Sequence, residues 1–184
     1  MTRIPLLVAV LLVGIAFAPA THADRSPLDR LRIHDDAALW QARSCVGEVG
    51  WTDLDACDAM TWVHVKRAAA RGLPLRTMIR EYSAPVRRAH RRPRHRPWIV
   101  DLTTTGPAPA TWHRGSWSRA QAGFRTVLER VEKVLAGEVP DPCPEVVHYG
   151  GPMDGAPPRH ERDPECAPSS RQLFFRPVSF GGAS

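Results

Sequence analysis

The chain has 184 residues, of which 43% are hydrophobic and 24% charged, with a formal net charge of +6. Its length suffices for one domain with a real core. Six of its arginines lie in residues 86–97, VRRAHRRPRHRP, and without these and Arg3 the charge is −1, so the basicity is one loop and not a basic nucleic-acid-binding domain.

Residues 1–23 read as a secretory signal peptide. Arg3 supplies the positive start, IPLLVAVLLVGIAFA is an apolar run of 15 residues, and APATHA ends on small residues. The run is shorter than the roughly 20 residues a spanning helix needs, which makes a membrane anchor the lesser alternative. The expectation is an exported chain, periplasmic or extracellular, off the membrane after cleavage and with no nucleic-acid partner. Export suits the four cysteines, Cys45, Cys57, Cys143 and Cys166, all in the mature part. Even in number, they predict two disulfides. The local pairing Cys45–Cys57 and Cys143–Cys166 closes two short loops. Zinc is the alternative, but no C-x2-C pair is present. No metal or other cofactor is expected.

The first predicted helix spans about 36–49, with Asp35 or Asp36 as cap and Ala38, Ala42, Cys45, Val46 and Val49 on one face. Gly47 and Gly50 mark its end. Thr52 or Asp53 caps a second helix over about 54–71, with Ala56, Met60, Val63 and Arg67 on one face, stopped by Gly72. Pro74 opens a short third helix whose apolar side is Leu75, Met78, Ile79 and Tyr82. The arginine stretch 86–97 is read as a loop, and WIVDL at 98–102 as the best strand candidate. Ser116 is expected to cap the clearest helix, about 117–136. Its stripe is Trp117, Ala120, Phe124, Val127, Leu128, Val131, Val134 and Leu135, and Gly137 ends it. Residues 138–184 are rich in proline and glycine, with short extended segments expected at EVVHYGGPMD and LFFRPVSF. They need tying down by Cys143–Cys166. The fold class is mainly α with minor β structure (α+β), one domain over 24–184.

Glu48 is the leading catalytic candidate. A carboxyl donates a proton near neutral pH only if its pKa is raised, and apolar surroundings do that. In CVGEVGW, residues 45–51, no other charge is near, Trp51 follows, and the glycines would let a polymer approach the backbone. The competing reading is a glutamate on a solvated helix end. Asp53, Asp55 and Asp58 offer a second carboxylate but are also explained as helix-start residues. His64, His148 and His160 form no zinc motif. His148 and Tyr149 precede paired glycines, a combination of donors and a flat ring that suits sugars, or an ordinary turn.

CVGEVGW followed by CDAMTWVHVKRA, together with AGEVPDPCPEVVHYGGP, resembles the cell-wall hydrolases that include the spore-cortex-lytic enzymes. Their pattern is a helix ending in Gly-Glu, a helix ending in apolar-Asn-Arg, and a later Asp-Pro-Thr before an aromatic. Asp141 and Pro142 match. Lys66 stands for the Asn, Cys143 for the Thr, and His148 or Tyr149 takes the aromatic place, while the second acid of the family's Gly-Glu run is missing. The resemblance implies a lysozyme-like fold and cleavage of the β-1,4 bond between N-acetylmuramic acid and N-acetylglucosamine, with Glu48 as the catalytic residue.

The expectation is therefore an exported peptidoglycan-cleaving enzyme. With one acid, it acts as a lytic transglycosylase more readily than as a muramidase. Tyr82, His148 and Tyr149 are expected to line the groove for glycan strands, and the arginine loop to hold anionic envelope polymer or peptide-stem carboxylates. The alternatives are a non-catalytic glycan- or partner-binding module on the same fold, or a secreted inhibitor or toxin built on disulfides.

Overall fold

The computed structural model describes residue 28 and residues 36–91, 98–110 and 112–178. The signal peptide expected at 1–23 and residues 92–97 of the arginine stretch lie outside them. The described residues are mainly helical with a small antiparallel sheet.

Helix α1 (Ala37–Val49) is buried on more than one side, at Ala37, Ala42, Cys45 and Val46 but also at Gln41, Arg43 and Ser44. Two of these polar residues find partners in the interior. Gln41 Oε1 lies 2.7 Å from His64 Nδ1, and Arg43 Nε donates to the Leu102 carbonyl at 3.2 Å. Gly50 ends α1 at φ 83°, a conformation that favours glycine. Helix α2 (Leu54–Arg71) starts where the Asp53 carboxylate accepts the Ala56 N–H at 3.2 Å. It ends at left-handed Gly72, after which the Leu73 N–H reaches back to the Ala68 carbonyl at 3.0 Å.

Helix α3 (Leu75–Tyr82) is followed after Ser83 by α4 (Ala84–Arg91), where a loop was expected. Ser83 accepts the first helical bond of α4 from Arg87 N at 2.9 Å. Pro85 sits in the first turn, where its missing N–H costs nothing. Val86 is buried while Arg87 and Arg88 are exposed. The arginine-rich composition masked a helix that needs one apolar anchor. WIVDL is also not a strand. Trp98–Val100 is a 3-10 turn, because Ile99 and Leu102 must both enter the core, and a spacing of three suits a turn rather than a period of two.

Helix α5 (Arg114–Leu135) starts before the expected Ser116, with His113 at its cap position. Its buried stripe is Trp117, Ala120, Phe124, Val127, Val131 and Val134. It packs against α1 and the 3-10 turn, around Cys45, Val46, Ile99 and Leu102. Full burial of a side chain such as Phe124 contributes about 1.5–3 kcal/mol. Asp58 ties α2 to α5: its buried carboxylate takes Nε and Nη2 of Arg130 at 2.9 and 2.6 Å. That is a structural task, and it removes Asp58 from the candidate second acids.

Gly123 of α5 is where Trp51 lands. A Cβ there would lie 2.5 Å from Trp51 Cγ. Alanine normally improves on glycine inside a helix by about 1 kcal/mol. Here the sign reverses: Gly123→Ala is expected to cost about 1–3 kcal/mol through overpacking, read as a lower urea midpoint.

The last of the short strands is the centre of the sheet. Strand β3 (Leu173–Pro177) pairs antiparallel with β1 (His148–Gly150), Tyr149 opposite Phe174, and with β2 (His160–Arg162), Glu161 opposite Arg176. The segments near 148 and 173 were expected to be extended. Strand β2 was not, since HER carries no alternation and pairs through its backbone and a Glu161–Arg176 ion pair at 2.9 Å. The sheet packs on α2 through Tyr149, Phe174, Met60 and Val63. Disulfides join Cys45 to Cys57 and Cys143 to Cys166, the local pairing.

Candidate functional site

Glu48 lies in the last turn of α1, and its carboxyl meets the start of α4. Its Oε1 accepts the Ala84 N–H at 3.0 Å and lies 3.4 Å from the Ser83 hydroxyl. Burial raises its pKa, against those two hydrogen bonds and the positive charges of Arg88 and Arg87, which pull it down. Its own backbone carbonyl takes the Gln172 amide at 3.2 Å.

The neighbours of Glu48 differ from expectation in two respects. Trp51 packs on Gly123, so the drying of Glu48 comes from burial at the α1–α4 junction. Nor does Gly47 open the backbone to a polymer. A Cβ there would lie 2.5 Å from Ile99 Cδ1 and 2.7 Å from Pro85 Cβ, so Gly47 admits the 3-10 turn and α4 against α1.

Glu48 is among the residues that line a cleft of about 650 Å³. One wall is Thr52, Asp53 and Asp55 at the start of α2, and the other is Ser169 and Arg171, just before β3. Asp53 is committed to its cap, whereas Asp55 is exposed. Ser169 and Arg171 were missed by sequence reasoning. They stand more than 120 residues from Glu48, and nothing local to them signals a site.

Tyr82, His148 and Tyr149 are brought together, but none of the three lines this cleft. Tyr149 is buried, with its hydroxyl 3.1 Å from His64 Nε2. It cannot offer a face to a sugar, which corrects the expectation for it. Burial and the charge of Glu48 both push its hydroxyl's pKa up. Tyr82 and His148 are half-buried and hydrogen-bonded to each other, and Arg67 donates to Tyr82 and to the Val147 carbonyl at 3.1 Å. The Arg67 guanidinium also stacks 3.7 Å over the Tyr82 ring.

Burial and Arg67 push His64 down to about 3 and His148 to about 4, so both rings are neutral at pH 7. His148 Nδ1 faces the Arg67 cation at 3.2 Å, which places the ring proton on Nε2. Tyr82, His148 and Tyr149 pack α3 and β1 together against His64 and Arg67 of α2. Among the described residues, no group of three or more His, Cys, Asp or Glu side chains is placed to hold a metal ion.

The two stretches of the family resemblance meet in space. Lys66 pairs with Asp141 at 2.8 Å and donates to the carbonyls of Cys143 and Pro144 at 2.8 and 3.1 Å. Lys66 thus ties α2 to the proline-rich segment. The chain matches no protein-family model, no curated protein and no solved structure.

Proposed function

We propose that this chain is an exported enzyme with a lysozyme-like fold that cleaves the β-1,4 bond between N-acetylmuramic acid and N-acetylglucosamine, acting as a lytic transglycosylase. One observation carries this reading. Glu48 is a carboxyl that burial holds toward its acid form, in a residue that lines a cleft large enough for sugar rings. Its Oε1 is occupied by Ala84 and Ser83, which leaves Oε2 to carry the proton.

Oε2 gives that proton to the glycosidic oxygen as the bond to the muramic C1 breaks. The resulting carboxylate then takes the proton of the muramic 6-hydroxyl as its oxygen bonds to C1. The product is a 1,6-anhydro sugar, and Glu48 is returned to its acid form with no water consumed. Arg87 and Arg88, exposed on α4, place positive charge beside the site and suit anionic wall polymer. Two disulfides agree with export. Among the described residues, no helix is long and apolar enough to cross a membrane.

Two other readings each have an observation behind them. Asp55 in the same cleft would suit a hydrolase that activates water with a second carboxylate. The bond from Ala84 to Glu48 is also what a structural glutamate capping α4 would make in a non-catalytic module. The test is chemical: purified sacculi incubated with the protein release muropeptides ending in 1,6-anhydromuramic acid, and the absence of any release overturns the enzyme reading.

A further inference from the structure

Arg171 shares the cleft with Glu48, Asp53 and Asp55, yet among the described residues it forms no ion pair. A cation left unpaired in this cleft is available to an anion from outside. Its backbone is held in place on both sides. Cys166 is bonded to Cys143, Ser170 N donates to the Ala167 carbonyl at 2.9 Å, and Gln172 N donates to Ser170 Oγ at 3.1 Å. The Gln172 side chain then fastens this loop to the backbone of Glu48 itself. The guanidinium root is therefore set relative to the acid before any ligand arrives.

We infer that Arg171 binds a carboxylate carried by the muramic residue of the substrate, and so selects carboxylate-bearing wall glycan over neutral glycan. This rests on the peptidoglycan reading of Glu48. A guanidinium presents two parallel donors that match a carboxylate's two oxygens. Asp53 and Asp55 repel an anion from the rest of the cleft, so a strand with a carboxylate on alternate sugars is held in one register and one direction. Two sources supply such a group: the lactyl carboxylate of peptide-free muramic acid, and the carboxylates of a peptide stem.

Binding to Glu48→Gln, which leaves the ligand uncut, separates these cases. The probes are peptide-bearing glycan strands, peptide-free glycan strands and neutral chitohexaose, measured by calorimetry with Glu48→Gln and with Glu48→Gln/Arg171→Gln. The added change is expected to weaken binding about tenfold for at least one carboxylate-bearing probe and to leave chitohexaose within twofold. Arg171→Lys should restore part of the loss. Loss confined to peptide-bearing strands assigns the stem, and loss on peptide-free strands assigns the lactyl group. Equal affinities of both variants for every probe, or the same loss on chitohexaose, overturn the assignment of Arg171 while leaving glycan binding in place. If no probe binds either variant, the peptidoglycan reading itself fails and takes the Arg171 assignment with it.

Discussion

Glu48→Gln is expected to lower glycan cleavage by about 10³-fold while leaving the fold intact. General acid–base catalysis contributes about 10²–10⁴ in rate, and in the proposed mechanism one side chain performs both halves of it. The glutamine oxygen can still accept from Ala84 and Ser83, so the first turn of α4 keeps its partner. What is lost is the transferable proton.

Stability moves the other way. Burial raises the pKa of Glu48 above its ordinary 4.5, so the folded chain holds this proton more tightly than the unfolded chain does. That contribution is fully present below pH 4.5 and is lost as pH rises through the folded pKa. The variant has no carboxylate to desolvate, so it should melt higher than the wild type at pH 7, and the gap should close below pH 4.5. Thermal melts at pH 4 and pH 7 beside a cleavage assay read both effects. Wild-type activity in Glu48→Gln would remove Glu48 from the mechanism.

Loss of the second disulfide is the largest expected change in stability. Cys143 and Cys166 are 23 residues apart, and closing a loop of that length restricts the unfolded chain by about 3 kcal/mol. Replacing both with alanine should lower the unfolding free energy by about 2–4 kcal/mol in urea titrations. A strand pair of three residues cannot hold this region alone. Lys66 would still grip the segment through Asp141 and two carbonyls, so α2 keeps one attachment. The loop carrying Ser169, Arg171 and Gln172 loses its anchor, and cleavage should fall together with stability. A change below about 1 kcal/mol would show that the Lys66 contacts and the sheet suffice.

The helices were legible because their stops and stripes are local. Gly72 ends α2, and the apolar positions of α5 recur at helical spacing. Misreadings arose where distant contacts decided the outcome. Ile99 and Leu102 fold as a turn because both must reach the core beside Cys45. Arginines hid α4, whose direction is set by Val86. Trp51 adjoins Glu48 in the chain but belongs to Gly123. At the site, the glycines around Glu48 were read as opening the backbone to a polymer, whereas Gly47 serves close packing and Gly50 a turn. Tyr149 looked like a groove residue and is buried against His64, since a ring beside paired glycines carries no sign of which side will be covered. The far wall of the cleft, at Ser169 and Arg171, is positioned by the disulfide and the Gln172 bond, neither of which has a signature near Glu48.

The most direct measurement of the central claim is the chemistry of the ends released from purified sacculi by the wild-type protein and by Glu48→Gln, resolved by chromatography and mass spectrometry. The account predicts muropeptides ending in 1,6-anhydromuramic acid from the wild type and none from the variant. Reducing ends with water incorporated would contradict the transglycosylase mechanism and point to Asp55 as a second carboxylate. Intact sacculi after incubation with folded wild-type protein would contradict the enzyme altogether.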